Sequence, residues 1–457
     1  MTSERPLSAS FRDPSGFLFR RGNVLYRQVG RRFQPSYDHL MGSGLHRRLV
    51  DQKILVPHEE TADQPAEPQS AYKVLRPEPV PFISYPYEWC FSQLKDAALL
   101  TLQAQRTALE HGMELKDASA YNAQFLDGKL ILIDTLSFQL HAEGAPWVAY
   151  RQFCQHFLSP LALMSRRDER LGRLSQLHLD GIPLDLACAL IPRTAWLSPG
   201  LFLHLRLHAA AQQRLANRTP SKARGMSRQA LLGLADSLER TVRALRPRSA
   251  AGEWADYYAK NSPESTEQKK RAVARFLDEV SPTPRTVWDL GANTGLFSRL
   301  ASGRGIFTLA WDADAGCVEK NYRESVSAGE RNLLPLILDL TNPSPAAGWA
   351  NQERDSWLER APADAVLALA IVHHLAIGNQ TPLRRVAELM ARLGRWLIIE
   401  FVPKEDPQAR ALLVRREDVF PDYTRPVFEK VFGELFRLRG RQEIPGTQRT
   451  LYLMEKF

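Results

Sequence analysis

Short apolar runs recur at intervals between residues 287 and 400, and a polar residue follows each of them. The runs cover residues 287–288, 306–311, 334–338, 365–372 and 396–399. Stretches of mixed polar and apolar residues separate them, as helices that cover a sheet would. Apolar strands that alternate with helices predict a largely parallel sheet. This part of the chain is therefore predicted to be an α/β domain.

The first of these runs leads directly into a glycine-rich turn, DLGANTG, from Asp289 to Gly295. Gly291 allows the backbone to turn without a Cβ clash, and Asn293 tolerates a left-handed conformation. Gly295 lets the helical pattern of residues 296–300 begin close to the strand. A strand, a tight turn and a helix in this order form the first unit of nucleotide-binding α/β sheets. We expect a ligand to lie directly on this backbone.

The later strands also end in polar residues. Asp312, Asp339, the pair His373-His374 and Glu400 follow the second to the fifth run. Because the carboxyl ends of parallel strands meet at one edge of a sheet, we expect these side chains to surround one ligand. An acid at the position of Asp312 can accept hydrogen bonds from both hydroxyls of a ribose.

As a set, these motifs resemble those of class I S-adenosylmethionine (SAM) methyltransferases, over about residues 250–457. The resemblance implies a Rossmann-like seven-stranded sheet with SAM as the cofactor. The implied binding residues are Asp289, Gly291, Ala292, Asn293, Gly295, Asp312, Asp339 and Leu340. The glycine turn would line the methionine part of SAM, Asp312 would hold the ribose, and Asp339 with Leu340 would flank the adenine. An NAD-binding dehydrogenase is the alternative, although Gly291 and Gly295 do not follow G-x-G-x-x-G spacing.

Methyl transfer from a sulfonium needs mainly alignment, and a base helps only when the acceptor loses a proton. His374, and after it His373, are the candidate catalytic residues, with Glu400 as a further candidate base. The fourth strand is not followed by Asn/Asp-Pro-Pro-Tyr/Phe, the motif that amino-directed methylation of adenine or glutamine would favour. It is also not followed by a cysteine, which a covalent C5-pyrimidine mechanism would need. We therefore expect an oxygen or nitrogen acceptor on a small molecule or a carrier-bound metabolite. The motif set also resembles bacterial methyltransferases related to nodulation proteins.

A second group of polar residues lies in the N-terminal half, around a hairpin turn at Asp127-Gly128. Asp117 precedes Asn122 by five positions, and Asp134 follows the next apolar strand. The pattern resembles the protein-kinase-like superfamily, which implies Asp117 as a base and Asn122 and Asp134 as magnesium ligands for Mg-ATP. The His-Arg pair that the superfamily has before the residue matching Asp117 is missing, and so is the Phe-Gly pair after the residue matching Asp134. Lys73 is a possible substitute for the lysine that the superfamily carries on an upstream strand. We expect a degenerate kinase-like α+β domain that serves substrate recognition. Surface residues of a plain hairpin, or an active phosphotransfer site in a bifunctional kinase–methyltransferase, are the alternatives.

The composition of one short stretch indicates a boundary between two domains. Proline, glycine and small residues at 246–252 separate residues 1–248 from residues 249–457.

The net charge is +9, and residues 201–250 hold ten Lys or Arg and two acids. This stretch is interpreted as a solvated helix face, with a nucleic-acid or protein recruitment surface as the alternative. Aromatic residues are not interleaved with these arginines, as single-strand binding would favour.

Other features of the sequence predict the cellular location and further secondary structure. Four dispersed cysteines, no signal-peptide core and no long apolar run favour a cytoplasmic protein that does not enter a membrane. We predict a hairpin over 16–27, helices over 37–55, 147–170 and 228–245, a loop over 58–70 and a strand over 80–84. Tyr257 or Tyr258 is expected to cover SAM or to pack in the core, and Lys269 to be solvated.

Overall fold

The structure is a computed structural model of the chain, and it describes residues 6–215, 225–248, 263–414 and 419–457. The chain divides into two compact units. The first is Met1–Ser249 with Ala347–Arg354, and the second is Ala250–Ala346 with Asp355–Phe457. Across these described ranges, no helix combines the length and the apolar character needed to cross a bilayer.

The first unit begins with a four-stranded antiparallel sheet. Its strands are β1 (Gly16–Arg21), β2 (Val24–Gly30), β3 (His58–Thr61) and β4 (Ala71–Pro77), in the spatial order β1-β2-β4-β3. The predicted hairpin at residues 16–27 is present, with Gly22 at its turn in a left-handed conformation. Two helices, α1 (Gln34–Gly42) and α2 (Leu45–Asp51), replace the single helix predicted over 37–55. Gly44 separates them because its φ of +79° cannot continue a helix.

Two further predictions in this region were wrong. The predicted loop at 58–70 begins with strand β3, which lies at the edge of the sheet and therefore tolerates the exposed acids Glu59 and Glu60. The predicted strand at 80–84 is irregular backbone. Prolines at 79 and 81 lack the N–H groups that a strand ladder needs.

The rest of the first unit is mainly helical, as predicted, around two short strand pairs. The strands are β5 (Met113–Leu115), β6 (Ala123–Leu126), β7 (Lys129–Leu132) and β8 (Phe138–Leu140), with β5 paired to β8 and β6 to β7. The helices are α3 (Phe91–Glu110), α4 (Tyr150–Phe153), α5 (Ser159–Arg166), α6 (Leu174–Leu177), α7 (Leu184–Leu190), α8 (Pro199–Leu201), α9 (His208–Leu215) and α10 (Arg228–Ala244). π-Helical turns at Cys154–Leu158 and Phe202–Leu207 join α4 to α5 and α8 to α9. The unit is thus the α+β domain that the sequence predicts.

The second unit alternates strands with helices. Its strands are β9 (Thr286–Leu290), β10 (Phe307–Asp312), β11 (Leu333–Ile337), β12 (Ala363–Ala368), β13 (Gly394–Phe401), β14 (Phe436–Glu443) and β15 (Thr450–Lys456). Its helices are α11 (Pro263–Glu279), α12 (Ser298–Ser302), α13 (Ala315–Ala328), α14 (Leu383–Leu393), α15 (Pro407–Leu413) and α16 (Arg425–Gly433). A π-helical turn, His374–Gly378, follows β12.

These strands form one seven-stranded sheet in the order β11-β10-β9-β12-β13-β15-β14. The first five are parallel, while β15 runs antiparallel to both β13 and β14. This is the strand order of class I SAM-dependent methyltransferases, so the predicted Rossmann-like fold is confirmed. The order of connection reverses between β9 and β12, and a ligand crevice is expected outside the carboxyl ends of these two strands.

Apolar residues on both faces hold this sheet in place. From α11, Ala272, Val273, Phe276 and Leu277 pack into the same buried cluster as side chains of β9, β12 and β13. Elsewhere in the unit, the rings of Trp288, Trp311 and Trp357 are buried together, with centroids between 5.5 and 6.4 Å apart. The carboxyl ends of β9, β10 and β12 are thereby fixed by packed strands.

Candidate functional site

The loop after β9 has the left-handed backbone that the sequence predicts. Gly291, Asn293 and Gly295 have φ values of +73°, +51° and +80°. The N–H groups of Gly291 and Ala292 both donate to the carbonyl of Trp311 at 2.9 Å, so the loop is tied to the end of β10. A Cβ atom on Gly291 would lie 3.0 Å from Ile371 Cδ1, which follows β12. The loop therefore presents bare backbone at the crevice between β9 and β12.

Asp312 ends β10 and lies beside this loop. Its Oδ2 accepts the backbone N–H of Asn293 at 2.7 Å, and its Oδ1 accepts the N–H of Asp314 at 2.8 Å. Burial raises the pKa of Asp312 to about 6, although the two backbone N–H groups stabilise its ionised form. Each carboxylate oxygen can accept a further hydrogen bond. Asp312 is thus held in a fixed orientation beside the loop, and both of its oxygens keep acceptor capacity.

The remaining predicted cofactor residues fall into two groups. Asp289 is buried beneath the loop and accepts the Ser298 hydroxyl hydrogen at 2.6 Å; burial raises the pKa of Asp289 to about 7. Asp339 and Leu340 follow β11, and the N–H of Leu338 donates to the Asp312 carbonyl at 2.8 Å. The Asp339 and Leu340 segment therefore lies next to Asp312, while Asp289 is hydrogen-bonded to Ser298 in the helix that follows the turn.

His373 and His374 follow β12, with ring centroids 4.2 Å apart. His373 is completely buried, and neither of its ring nitrogens has a hydrogen-bond partner within the described ranges. Burial, and then the positive charges of His374, Arg449 and Lys269, lower the pKa of His373 well below its usual value. Burial and Arg449 also lower the pKa of His374. Both imidazoles are therefore neutral at physiological pH.

A buried chain of charges lies at the same edge of the sheet and was not predicted. Lys269 Nζ lies 2.5 Å from Glu400 Oε2, and Arg449 lies 3.7 Å from the other oxygen of Glu400. Arg449 also donates two hydrogen bonds to Asp406, at 2.7 and 3.0 Å. The prediction that Lys269 is solvated was wrong, because its side chain is only 11% exposed. Glu400 is consequently an ion-paired side chain.

In the first unit, the structure brings Asp117, Asn122 and Asp134 together. Asp117 accepts hydrogen bonds from the N–H of Ser119 and from Gln152, at 2.9 and 2.7 Å. Burial and then the Asp134 charge raise the pKa of Asp117. Asn122 donates to the Ser137 hydroxyl, and that hydroxyl donates to Asp134 Oδ2, at 3.0 and 2.8 Å. A side-chain hydrogen bond from Asn122 also stabilises the ionised form of Asp117 and lowers its pKa. The three predicted residues therefore form one connected polar group.

The cation in this group is an arginine. A guanidinium nitrogen of Arg27, on β2, lies 2.5 Å from Asp134 Oδ1, and the two side chains are 10% and 13% exposed. The candidate Lys73 instead pairs with Glu60 at 2.7 Å. Since one oxygen of Asp134 holds Arg27 and the other holds the Ser137 hydroxyl, a magnesium ion does not fit these residues as they are arranged.

No protein-family model matches this chain. It is 35% identical, over an alignment of 466 residues, to nodulation protein NoeA of Rhizobium meliloti (strain 1021). The alignment covers 98% of this chain and 96% of NoeA. The chain belongs to the NoeA family.

Solved structures also resemble part of this NoeA-family chain. WbdD is 18% identical with a TM-score of 0.31, over 44% of this chain and 42% of WbdD. The magnesium protoporphyrin IX methyltransferase ChlM from Synechocystis PCC 6803 is 16% identical with a TM-score of 0.30, over 42% of this chain and 84% of ChlM. The strand order of the second unit, and not these weak likenesses, establishes its fold.

Two predicted features of this NoeA-family chain fall partly or wholly outside the described residues. Tyr257 and Tyr258, expected near SAM, are among them. In the basic stretch 201–250, residues 216–224 are not described. Of its described arginines, Arg206 lies over the ring of Trp196, and Arg243 pairs with Glu239 at 2.8 Å. The choice between a solvated face and a recruitment surface for nucleic acid or protein stays a prediction.

Proposed function

We propose that this chain transfers the methyl group of SAM to an oxygen or nitrogen atom of a small molecule or a carrier-bound metabolite. The observation that carries the proposal is the crevice between β9 and β12, where the left-handed loop meets the fixed carboxylate of Asp312. When bound, SAM supplies an electrophilic methyl group. The contribution required of the protein is therefore to bind SAM and to align the acceptor.

Each part of SAM has a matching surface in this proposal. The backbone from Gly291 to Gly295 receives the methionine part, because it offers N–H groups without crowding Cβ atoms. Asp312 accepts the ribose hydroxyls, and Asp339 and Leu340 flank the adenine. His373 and His374 border the position of the methyl group, since they follow the strand on the other side of the crevice.

For the first unit we propose a role in acceptor recognition without phosphotransfer. The support is the ion pair between Arg27 and Asp134, which occupies the carboxylate that a phosphotransfer site would offer to its metal. The connected group of Asp117, Asn122 and Asp134 then stabilises the fold. Binding of nucleotide at this site is not needed in this proposal.

The test is transfer of tritium from [methyl-³H]SAM into a cell extract by the full chain. Because NoeA is a nodulation protein, extracts of nodulating rhizobia are the first source of acceptor to examine. We expect labelled product with the wild-type chain and little with Asp312→Ala. Equal labelling by the two proteins would contradict the proposed site.

A further inference from the structure

One helix of the first unit is apolar on its exposed side as well as on its buried side. It is the continuous helix formed by α8, α9 and the π-helical turn between them. Leu201 and Leu205 are completely buried, so one side of the helix packs into the unit. The opposite side carries side chains that are 38%, 48% and 46% exposed: Phe202, Leu203 and Leu207. Large apolar side chains that are exposed together mark a site of interaction.

The 3₁₀ turn Arg193–Leu197 extends this exposed side. Leu197 is 86% exposed. The guanidinium carbon of Arg206 lies 5.6 Å from the ring centroid of Trp196 and 5.9 Å from that of Phe202. A cation therefore joins the indole to the apolar side of the helix. We refer to these residues as the outer face: Trp196, Leu197, Phe202, Leu203, Arg206 and Leu207.

The chain around the outer face is basic and contains no acids. Residues 186–235 include seven Lys or Arg and no Asp or Glu. Asp185 precedes this stretch and offsets part of the charge of Arg206, since both act electrostatically on the thiol of Cys188. The two acids that follow the stretch are already paired with Arg106: Asp236 and Glu239. The apolar side chains thus lie in positively charged surroundings.

This combination of charge and apolar surface restricts what can cover the outer face. A second copy of the chain would bring the same excess of cations against itself. A single-stranded nucleic acid would need aromatic rings on which its bases stack, whereas leucines dominate the outer face. A bilayer surface with anionic lipids meets both requirements. Its headgroups attract the cations, and its acyl boundary accepts the leucine and phenylalanine side chains.

We propose that the outer face docks the first unit on a membrane surface that contains anionic lipids. The apolar side chains then lie at the boundary between headgroups and acyl chains. Arg206 and Trp196 lie at the level of the headgroups, where long cationic and amphipathic aromatic side chains are favoured. Docking of this kind does not cross the bilayer. It needs neither SAM nor a methyl acceptor, so it does not depend on the proposed methyl transfer.

The outer face could not be recognised in the sequence, where the chain is predicted not to enter a membrane. Residues 199–211 are mainly apolar and show no polar stripe at helical spacing. A helix that is apolar all round is ordinarily buried on all sides. Only the packing of Leu201 and Leu205 shows which side remains exposed.

Sedimentation with lipid vesicles tests the docking on the full chain. One set of vesicles contains phosphatidylcholine alone, and the other contains phosphatidylcholine and phosphatidylglycerol in equal parts. We expect the wild-type chain to bind the phosphatidylglycerol vesicles more tightly by at least about tenfold, and less so as sodium chloride is added. Equal binding to both kinds of vesicle, or binding to neither, would overturn the proposal.

A pair of double variants shows whether the outer face is the part that binds. Leu203→Gln with Leu207→Gln removes two apolar side chains without changing the charge. It should weaken binding to phosphatidylglycerol vesicles by on the order of tenfold. The control is Val326→Gln with Leu438→Gln in the second unit, where these side chains are 53% and 52% exposed. The control should bind like wild type, and an equal loss in both double variants would overturn the proposal.

Arg206→Gln tests the contribution of charge. It keeps the apolar side chains and should weaken vesicle binding by about fivefold at low salt and by less at high salt. Because the substituted side chains are exposed, all variants should keep the melting temperature of wild type and its affinity for S-adenosylhomocysteine (SAH). Vesicle binding that neither Arg206→Gln nor the leucine variant weakens would overturn docking through the outer face.

Discussion

Asp312 accepts the backbone N–H of Asn293 through one carboxylate oxygen, at 2.7 Å. This hydrogen bond joins the end of β10 to the loop that follows β9. The same loop is also tied to β10 by the carbonyl of Trp311. The acid expected to hold the ribose and the backbone expected to hold the methionine part are therefore positioned by one another.

The pH dependence of ligand binding follows from this contact. Only the ionised form of Asp312 accepts two hydroxyl hydrogens, and burial raises the pKa of Asp312 to about 6. Lowering the pH from 7.5 to 5 should therefore weaken SAH binding, by up to about tenfold per pH unit once the pH is below that pKa. Calorimetry across this range checks the prediction. Asp312→Asn should bind weakly at every pH, and a wild-type affinity that does not change with pH would contradict the role of the carboxylate.

Gly291 in the loop after β9 and Gly305 between α12 and β10 offer a matched pair of substitutions. Gly291 and Gly305 have similar left-handed conformations, with φ values of +73° and +80°. A Cβ on Gly305 meets nothing within 4 Å, whereas one on Gly291 meets Ile371. Replacing either with alanine should cost about 1 kcal/mol of stability from the strained backbone. Only Gly291→Ala should also weaken SAH binding, by about tenfold, or ~1.4 kcal/mol.

Thermal denaturation and calorimetry on both variants check this comparison. Equal loss of SAH affinity in Gly305→Ala would mean that strain alone, and not the bare backbone at the crevice, explains the effect.

Asp289 should make the stability of the second unit depend on pH. Burial raises its pKa to about 7 in the folded chain, above the value near 4 of an unfolded aspartate. Its contribution to stability is therefore complete below pH 4 and is lost as the pH rises towards 7. Asp289→Asn keeps an acceptor for Ser298 and cannot ionise. The variant should gain stability relative to wild type between pH 5 and pH 8, by on the order of 2 kcal/mol.

Melting temperatures of the two proteins at a series of pH values measure this difference. Curves that stay parallel from pH 5 to pH 8 would show that Asp289 is not protonated in the folded chain.

The ion pair in the first unit predicts both a stability effect and a missing ligand. Arg27→Met leaves the Asp134 charge buried without a partner and should destabilise the chain by about 3–5 kcal/mol. Adding Asp134→Asn should restore much of this loss, because the uncompensated charge is then removed. Thermal denaturation of these variants measures the loss of stability. The melting temperature of wild type should not change when Mg-ATP is added. A rise in melting temperature with Mg-ATP that Asp134→Asn abolishes would contradict the proposal that the Arg27–Asp134 ion pair leaves no place for the metal.

The features that the sequence could predict are those set by neighbouring residues. In a parallel sheet the ligand binds at the carboxyl ends of the strands. A polar residue at the end of an apolar run, such as Asp312, can therefore be identified as a site residue from the sequence. The turn at Gly291 and Asn293 is likewise set by local backbone preferences. For the same reason the hairpin turn at Asp127-Gly128 was predicted, and both residues have positive φ.

The features that the sequence could not predict depend on contacts between distant segments. Lys269 looks like a surface lysine of a helix, because its partner Glu400 comes from β13. Arg27 looks like an exposed strand residue until β2 is placed beside Asp134. A signal did exist for Arg27, since it stands within the apolar run of β2 rather than at its end. Its partner, however, is fixed only by the tertiary fold.

Calorimetric titration of SAH into the full chain, and into Asp312→Ala, measures the central claim most directly. We predict saturable binding of one SAH per wild-type chain, and a loss of affinity of at least about tenfold in the variant. A folded wild-type chain that does not bind SAH, or a variant that binds it as tightly as wild type, would contradict SAM binding at this site.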